Sequence, residues 1–139
     1  MKKIVLIVCA ILFSSYLFAE RALAYEDLPS NAKQFLDSYF SEKEIIWIEK
    51  EYDGYDVDLA DDIEISFDKK GNWEEISGRY ALPKGFIPAD ILTKVHELYP
   101  KSVILSIDKE YSYYDIELSN YRDIDIKADG TIISDKYDN

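Results

Sequence analysis

Residues 48–59 read IEKEYDGYDVDL, and residues 107–118 read IDKEYSYYDIEL. Ile48-Glu49-Lys50-Glu51-Tyr52 matches Ile107-Asp108-Lys109-Glu110-Tyr111, and Tyr55-Asp56-Val57-Asp58-Leu59 matches Tyr114-Asp115-Ile116-Glu117-Leu118. The spacing is a constant 59 positions, and it holds outward without a gap for Pro29 and Pro88, Ile45 and Ile104, Ile65 and Ile124, and Gly71 and Gly130. A fixed register over that length is the signature of an internal repeat. Residues 28–77 and 87–136 are therefore two copies of one unit, joined by a linker, 78–86, that Gly78, Pro83 and Gly85 mark.

Within each copy the apolar residues change period once. Ala32, Phe35, Leu36, Tyr39 and Phe40 form a helical stripe behind Pro29, and Ile91, Val95, Leu98 and Tyr99 form another behind Pro88. Proline suits the first helical turn, where its missing N–H has no partner to lose. Pro100 stops the second helix.

After each helix the period becomes two, that of a half-buried strand. The first strand spans Ile45 to Glu51 and its copy Val103 to Lys109. The second turns Tyr55, Val57 and Leu59 inward and Asp56 and Asp58 outward; its copy turns Tyr114, Ile116 and Leu118 inward and Asp115 and Glu117 outward. In the third, Ile63, Ile65 and Phe67 alternate with Glu64 and Ser66, and Ile124 and Ile126 alternate with Asp123 and Asp125. Lys70-Gly71 and Asp129-Gly130 supply the positive φ of hairpin turns. Short fourth strands follow, Asn72 to Ser77 and Thr131 to Ser134. The fold class is α+β: two tandem helix-plus-four-strand repeats, each with one apolar sheet face under a helix and one polar face.

These residues resemble the PepSY-like, beta-lactamase-inhibitor-like family of proteins exported by Bacteroidetes. The resemblance spans nearly all of 28–136 and rests on Leu28-Pro29, Ile87-Pro88, Tyr99-Pro100, the two stretches Tyr55 to Leu59 and Tyr114 to Leu118, and the run Ile63 to Ile76. It implies that the two sheets join into one curved, antiparallel, eight-stranded sheet with the helices on one face. It brings no catalytic residues. The second copy departs from the pattern at Lys127-Ala128-Asp129-Gly130 and has Ile132 where the first has Trp73, so the halves are not expected to act alike.

Met1-Lys2-Lys3, the apolar run Ile4 to Phe18 and Ala22-Leu23-Ala24 form a secretory signal peptide, with cleavage expected after Ala24. The run falls short of the ~20 residues that a membrane-spanning helix needs. Val8 before Cys9 does not fit a lipid-attachment site. The expectation is a periplasmic or secreted protein with one domain, residues 25–139, and no membrane insertion after cleavage. Cys9 is the only cysteine and leaves with the leader, so the domain has no disulfide or thiolate and is held by its hydrophobic core.

The chain has a net charge of −12, and the leader holds Lys2, Lys3 and Arg21 against Glu20, so the rest is more acidic still. That balance excludes nucleic acid and anionic lipid, which are bound through clustered Lys and Arg. It favours a basic protein partner, although acidity also serves solubility. His96 is the only histidine, at the border of the second helical stripe. A His-rich zinc site and a Cys–His nucleophile are thereby excluded, and no Gly-x-Ser-x-Gly turn presents a serine. No cofactor is expected, and no catalytic residue is assigned.

The candidate binding residues are the outward carboxylates Asp56, Asp58, Glu64, Asp115, Glu117, Asp123 and Asp125, with Tyr52, Tyr111 and Tyr113 near the strand ends. Like charges facing each other across strands destabilise a sheet by a few tenths of a kcal/mol per pair, by analogy with measured cross-strand pairs. Tyrosine buries a large area with little rotamer loss, which suits an interface. The leading expectation is a non-enzymatic protein-binding module, with inhibition of an envelope or extracellular enzyme as its role. The alternative is a calcium or small-ligand domain built on the groups Asp53, Asp56, Asp58, Asp61, Asp62 and Asp123, Asp125, Asp129, although neither has the glycine of an EF-hand loop. A hydrolase ranks third.

Overall fold

The structure, a computed structural model, describes residues 22–138. Of the leader expected from the sequence, Met1 to Arg21 lies outside the described residues, Cys9 included. The first copy supplies α1 (Ser30–Tyr39), β1 (Ile45–Lys50), β2 (Gly54–Leu59), β3 (Ile63–Asp68) and β4 (Trp73–Ser77). The second supplies α2 (Ala89–Leu98), β5 (Ile104–Lys109), β6 (Tyr114–Leu118), β7 (Arg122–Ile126) and β8 (Ile132–Tyr137). All eight strands join in one open, curved sheet in chain order, each antiparallel to the next.

Alternation decides which face is dry. Val57, Ile65, Phe67, Ile76, Ile107, Ile116, Ile124 and Ile126 are fully buried on one face, under Ala32 and Leu36 of α1 and Ile91 and Val95 of α2. Each such side chain contributes ~1.5–3 kcal/mol relative to exposure. Among the described residues every buried hydrophobic residue lies between Leu28 and Ile126, and Leu23 and Tyr25 pack partly buried against that core. Pro29 and Pro88 precede the first helical residue, with φ −55 and −51, and so stand one position before the first turn in which sequence reasoning put them.

The repeat extends to irregularities. The β1–β2 register slips between Ile45 and Trp47, and the β5–β6 register slips between Ile104 and Ser106, the same bulge 59 positions on. Gly71 (φ 83) and Gly130 (φ 84) carry the β3–β4 and β7–β8 turns. Each also tucks under its own copy's helix: a Cβ on Gly71 would come within 2.8 Å of Ala32 N, and one on Gly130 within 2.9 Å of Asp90 O.

The 78–86 segment is more than the passive linker its glycines suggest. Leu82 is buried, and its N–H donates to Ile104 O at 3.0 Å. The Phe86 ring lies 5.4 Å from Phe35, 5.7 Å from Tyr39 and 5.5 Å from Trp73. Trp73 in turn stacks on Tyr114 at 6.3 Å, with Lys109 Nζ 3.9 Å from the Trp73 ring. This aromatic seam couples the first copy to the second.

Strand ends also differ from expectation. β1 stops at Lys50, because the Glu51 N–H already turns back to Gly54 O, and β4 starts at Trp73. β8 runs on to Tyr137, three residues past Ser134: Asp135 and Lys136 are poor strand formers by type, but they and Tyr137 pair with Ile124, Asp123 and Arg122 of β7. On the other edge, Ala22 bridges Glu49, and the Leu23 N–H donates to Ile48 O at 3.0 Å.

Candidate functional site

The helix-free face is organised by register. One row runs across all eight strands as Glu49, Asp56, Ser66, Glu75, Asp108, Asp115, Asp125 and Ser134. The neighbouring row runs Trp47, Asp58, Glu64, Ser77, Ser106, Glu117, Asp123 and Lys136. Adjacent members are about 5 Å apart, the inter-strand spacing. Sequence alternation puts Asp56 and Asp58 near Glu64, and Asp115 and Glu117 near Asp123 and Asp125; the structure pairs Asp58 with Glu64, Glu117 with Asp123 and Asp115 with Asp125. Asp56 faces Ser66, whose hydroxyl donates to Asp56 Oδ1 at 2.8 Å.

Besides Glu49 on the edge strand, two carboxylates of the long row, Glu75 and Asp108, escaped the sequence reading. Each is signalled by alternation, one flanking Ile76 and the other Ile107. What sequence lacked was the pairing of β4 with β5, which sets Glu75 opposite Asp108 and fuses two short acidic runs into one. The unbroken stretch Glu75–Asp108–Asp115–Asp125 crosses β4 to β7.

The charges there are crowded. Asp108 Oδ1 is shut off from solvent and has no hydrogen-bond partner among the described residues. Burial, then the charges of Glu75, Glu110, Glu117 and Asp123, push the Asp108 carboxyl up to about 6. Burial also leads for Asp115, with a hydrogen bond to Asp123 and the charges of Asp123, Asp125 and Asp108 behind it, and lifts its carboxyl to about 7. The ion pairs Arg79–Asp62 (3.6 Å), Lys94–Glu97 (3.2 Å), Arg122–Asp135 (3.6 Å) and Lys43–Asp61 involve none of these row carboxylates.

The tyrosines take two kinds of position. Tyr52 and Tyr111, equivalent in the repeat, are fully exposed on the β1–β2 and β5–β6 turns, at 93% and 106% of reference area. Tyr113 is half-buried just before β6; burial, then the charges of Asp125, Glu110 and Asp115, raises its hydroxyl. Tyr121 is exposed with φ 63, at the β6–β7 turn.

The two aspartate groups considered for calcium are drawn apart by their strands. Asp53 precedes β2 while Asp61 and Asp62 follow it, and six extended residues separate the two ends by about 20 Å. Asp61 lies with Lys43 and Asp62 with Arg79. Asp129 sits in the β7–β8 turn, where its Oδ1 accepts the Thr131 N–H at 3.0 Å. Among the described residues no three His, Cys, Asp or Glu side chains are grouped to hold a metal ion. His96 is exposed on α2, next to a small apolar cleft of about 70 Å³ formed with Leu82, Ile87 and Val103.

Duplicated helix-plus-four-strand units, a shared core and an acidic open face define a class of two-repeat α+β proteins with a single antiparallel sheet. The chain belongs to the beta-lactamase-inhibitor-like, PepSY-like family, whose sequence pattern matches residues 18–67 and again 53–134. The solved structures it is similar to include a Bacteroides thetaiotaomicron protein described as calcium-regulated and periplasmic, with a TM-score of 0.79 and 28% identity over 84% of this chain and 95% of that one. Two Bacteroides vulgatus proteins described as periplasmic are also similar. One has a TM-score of 0.78 and 27% identity over 84% of this chain and 95% of its own, the other 0.75 and 28% over 81% and 94%. No curated protein sequence matches the chain. Among the described residues no helix is long and apolar enough to cross a membrane.

Proposed function

We propose that this chain is an exported, non-enzymatic module that binds a basic protein surface on the helix-free face of its sheet. The observation that carries this is the row Glu75–Asp108–Asp115–Asp125, in which four adjacent strands each present a carboxylate and two of those are held well above the ordinary range. Crowding of that kind destabilises the free protein, and cationic side chains brought in by a partner relieve it. The exposed Tyr52 and Tyr111, four strands or about 19 Å apart, stand at one end of the face as apolar anchors. Export accords with the sequence of residues 1–24 and with the periplasmic description of the similar structures. Inhibition of an envelope enzyme is the finer role, supported by the family's description.

The test compares the protein with a variant in which Asp56, Asp58, Asp115 and Glu117 become Asn or Gln, both immobilised against envelope extract at about 0.15 M salt. Basic proteins retained by the first and lost by the second support the reading. Equal retention by both, or no retained protein, removes it. A cation-responsive domain is the second reading, favoured by the calcium-regulated description of a similar structure. A ligand at 100 times its dissociation constant adds about 2.7 kcal/mol, so an unchanged melting temperature in millimolar calcium disposes of it.

A further inference from the structure

The two edges of the sheet are protected differently. On β8, Asp135 points to the helix side, opposite Ile124, where the first copy has Ile76 opposite Ile65. Its carboxylate accepts the Tyr99 hydroxyl at 2.6 Å and lies 3.6 Å from Arg122. An inward-pointing charge blocks addition of another strand, because a neighbour would have to bury it against apolar side chains.

On β1 the inward positions are Ile48, which is buried, and Lys50, which pairs with Tyr55 and stands exposed at the end of the strand. No charge is turned in at the middle of this edge, and Ile46 and Trp47 are exposed at 59% and 43%. Its edge is covered instead by Ala22 and Leu23. Ala22 opposite Glu49 repeats Glu75 opposite Asp108, and Leu23 donating to Ile48 O lies where Ile76 lies beside Ile107. The leader end thus imitates the strand that β4 gives to β5. Cleavage after Ala24, expected from the sequence, takes away both covering residues, the partly buried Leu23 included, and keeps every buried hydrophobic residue from Leu28 to Ile126.

We propose that the uncovered β1 edge takes up an extended segment of a partner protein as a ninth strand, one alternating basic and apolar side chains. This rests on the proposed function and names the partner's form. The site fixes the pattern. A side chain in the place of Leu23 meets Ile48 and the apolar face. The residues on either side of it fall on the outer face beside Glu49 and Trp47, one strand from Asp56 and Asp58. Basic side chains there find carboxylates and an indole face, both of which attract cations. Main-chain bonds to Ile48 give the affinity common to strand addition.

Backbone alternation supplies a selective test. In an antiparallel ladder every second residue turns its N–H the same way, so Lys50, like Ile48, points its N–H off the edge. Lys50→Pro removes that donor and leaves the bonds to β2, and proline is tolerated on such edges. The probe is a fluorescein-labelled nonapeptide alternating Lys and Val, titrated into residues 25–139 at about 0.15 M salt. A second peptide of the same composition, with its lysines in one block, controls for charge.

The expected result is that the alternating peptide binds the protein and Lys50→Ala alike and binds Lys50→Pro at least tenfold more weakly. The Ile48 and Lys50 amides then gain protection from hydrogen exchange. Equal binding of both peptides, undiminished in Lys50→Pro and without new protection, overturns the ninth strand and leaves the acidic face as the binding surface. Binding of neither peptide overturns the ninth strand and the preference for basic partners together.

Discussion

Asp108 on β5 and Asp115 on β6 face each other in register on the open face of the sheet, and both carboxyls are held far above their ordinary range. Neither has a basic neighbour in its row. Glu75 and Asp125 flank the pair on β4 and β7, and Asp115 relieves part of the repulsion by sharing a hydrogen bond with Asp123.

This geometry fixes the sign of a pH dependence. With carboxyls at about 6 and about 7 against an ordinary 3.8, the folded state binds more protons than the unfolded state between about pH 4 and pH 7. Stability attributable to these groups is therefore highest below pH 4 and falls as pH rises through that window. Partial solvent exposure limits the effect to about 1–2 kcal/mol. Urea unfolding at pH 5 and pH 8 should show the higher midpoint at pH 5, with Asp115→Asn shrinking the difference. A midpoint that climbs steadily from pH 5 to pH 8 contradicts the crowding.

Phe86 should matter more than its place in a connecting segment suggests. Its ring touches Phe35, Tyr39 and Trp73, so Phe86→Ala removes the contact that ties the segment to α1 and β4. Because Phe86 is only partly buried, the expected loss is about 2–4 kcal/mol, near the lower end for Phe→Ala. Tyr80→Ala, at a residue 62% exposed in the same segment, should stay within about 0.5 kcal/mol. Chemical denaturation of the two variants checks the contrast, and similar losses at both positions would refute the seam.

Residues 25–80 expressed alone should not fold. That fragment keeps α1 and β1 to β4 but loses Phe86 and the whole β5 partner of β4, leaving a unit of marginal surface-to-volume ratio. Sharp, dispersed amide resonances from it would contradict the prediction.

How far these features could be read from sequence depends on how local their causes are. The constant spacing of 59 and the period of two around Val57, Ile65, Ile116 and Ile124 are local, and they carried the repeat, the hairpins and the inward faces. The pairing of β4 with β5 is not local. It spans the 78–86 segment and α2, and no pattern in Glu74-Glu75-Ile76 or Ile107-Asp108 announces it; only the family resemblance implied one sheet. So the acidic carboxylates were legible in pairs, while the row through Glu75 and Asp108 was not. Leu82 and Phe86 were hidden for a related reason, since single apolar residues among Pro and Gly have no period to reveal burial. The fourth strand was ended at Ser134 because Asp135 and Lys136 break the apolar pattern, whereas an edge strand is stabilised by its neighbour more than by its own side chains.

The acidic face itself is best tested through Asp56, Asp58, Asp115 and Glu117, which occupy equivalent outward positions of β2 and β6. Changing all four to Asn or Gln removes like-charge contacts with Glu64, Asp108, Asp123 and Asp125 without touching the core. Folding stability should hold or rise slightly, by a few tenths of a kcal/mol for each relieved pair. Association with a basic partner should slow, because electrostatic steering acts chiefly on the on-rate, and the slope of that rate against salt should flatten. Stopped-flow association at about 0.05 M and 0.3 M salt, run on both forms, separates a steering face from a merely solvated one. A variant with the same on-rate and the same salt slope as the parent would take the acidic face out of the binding account, whatever its effect on stability.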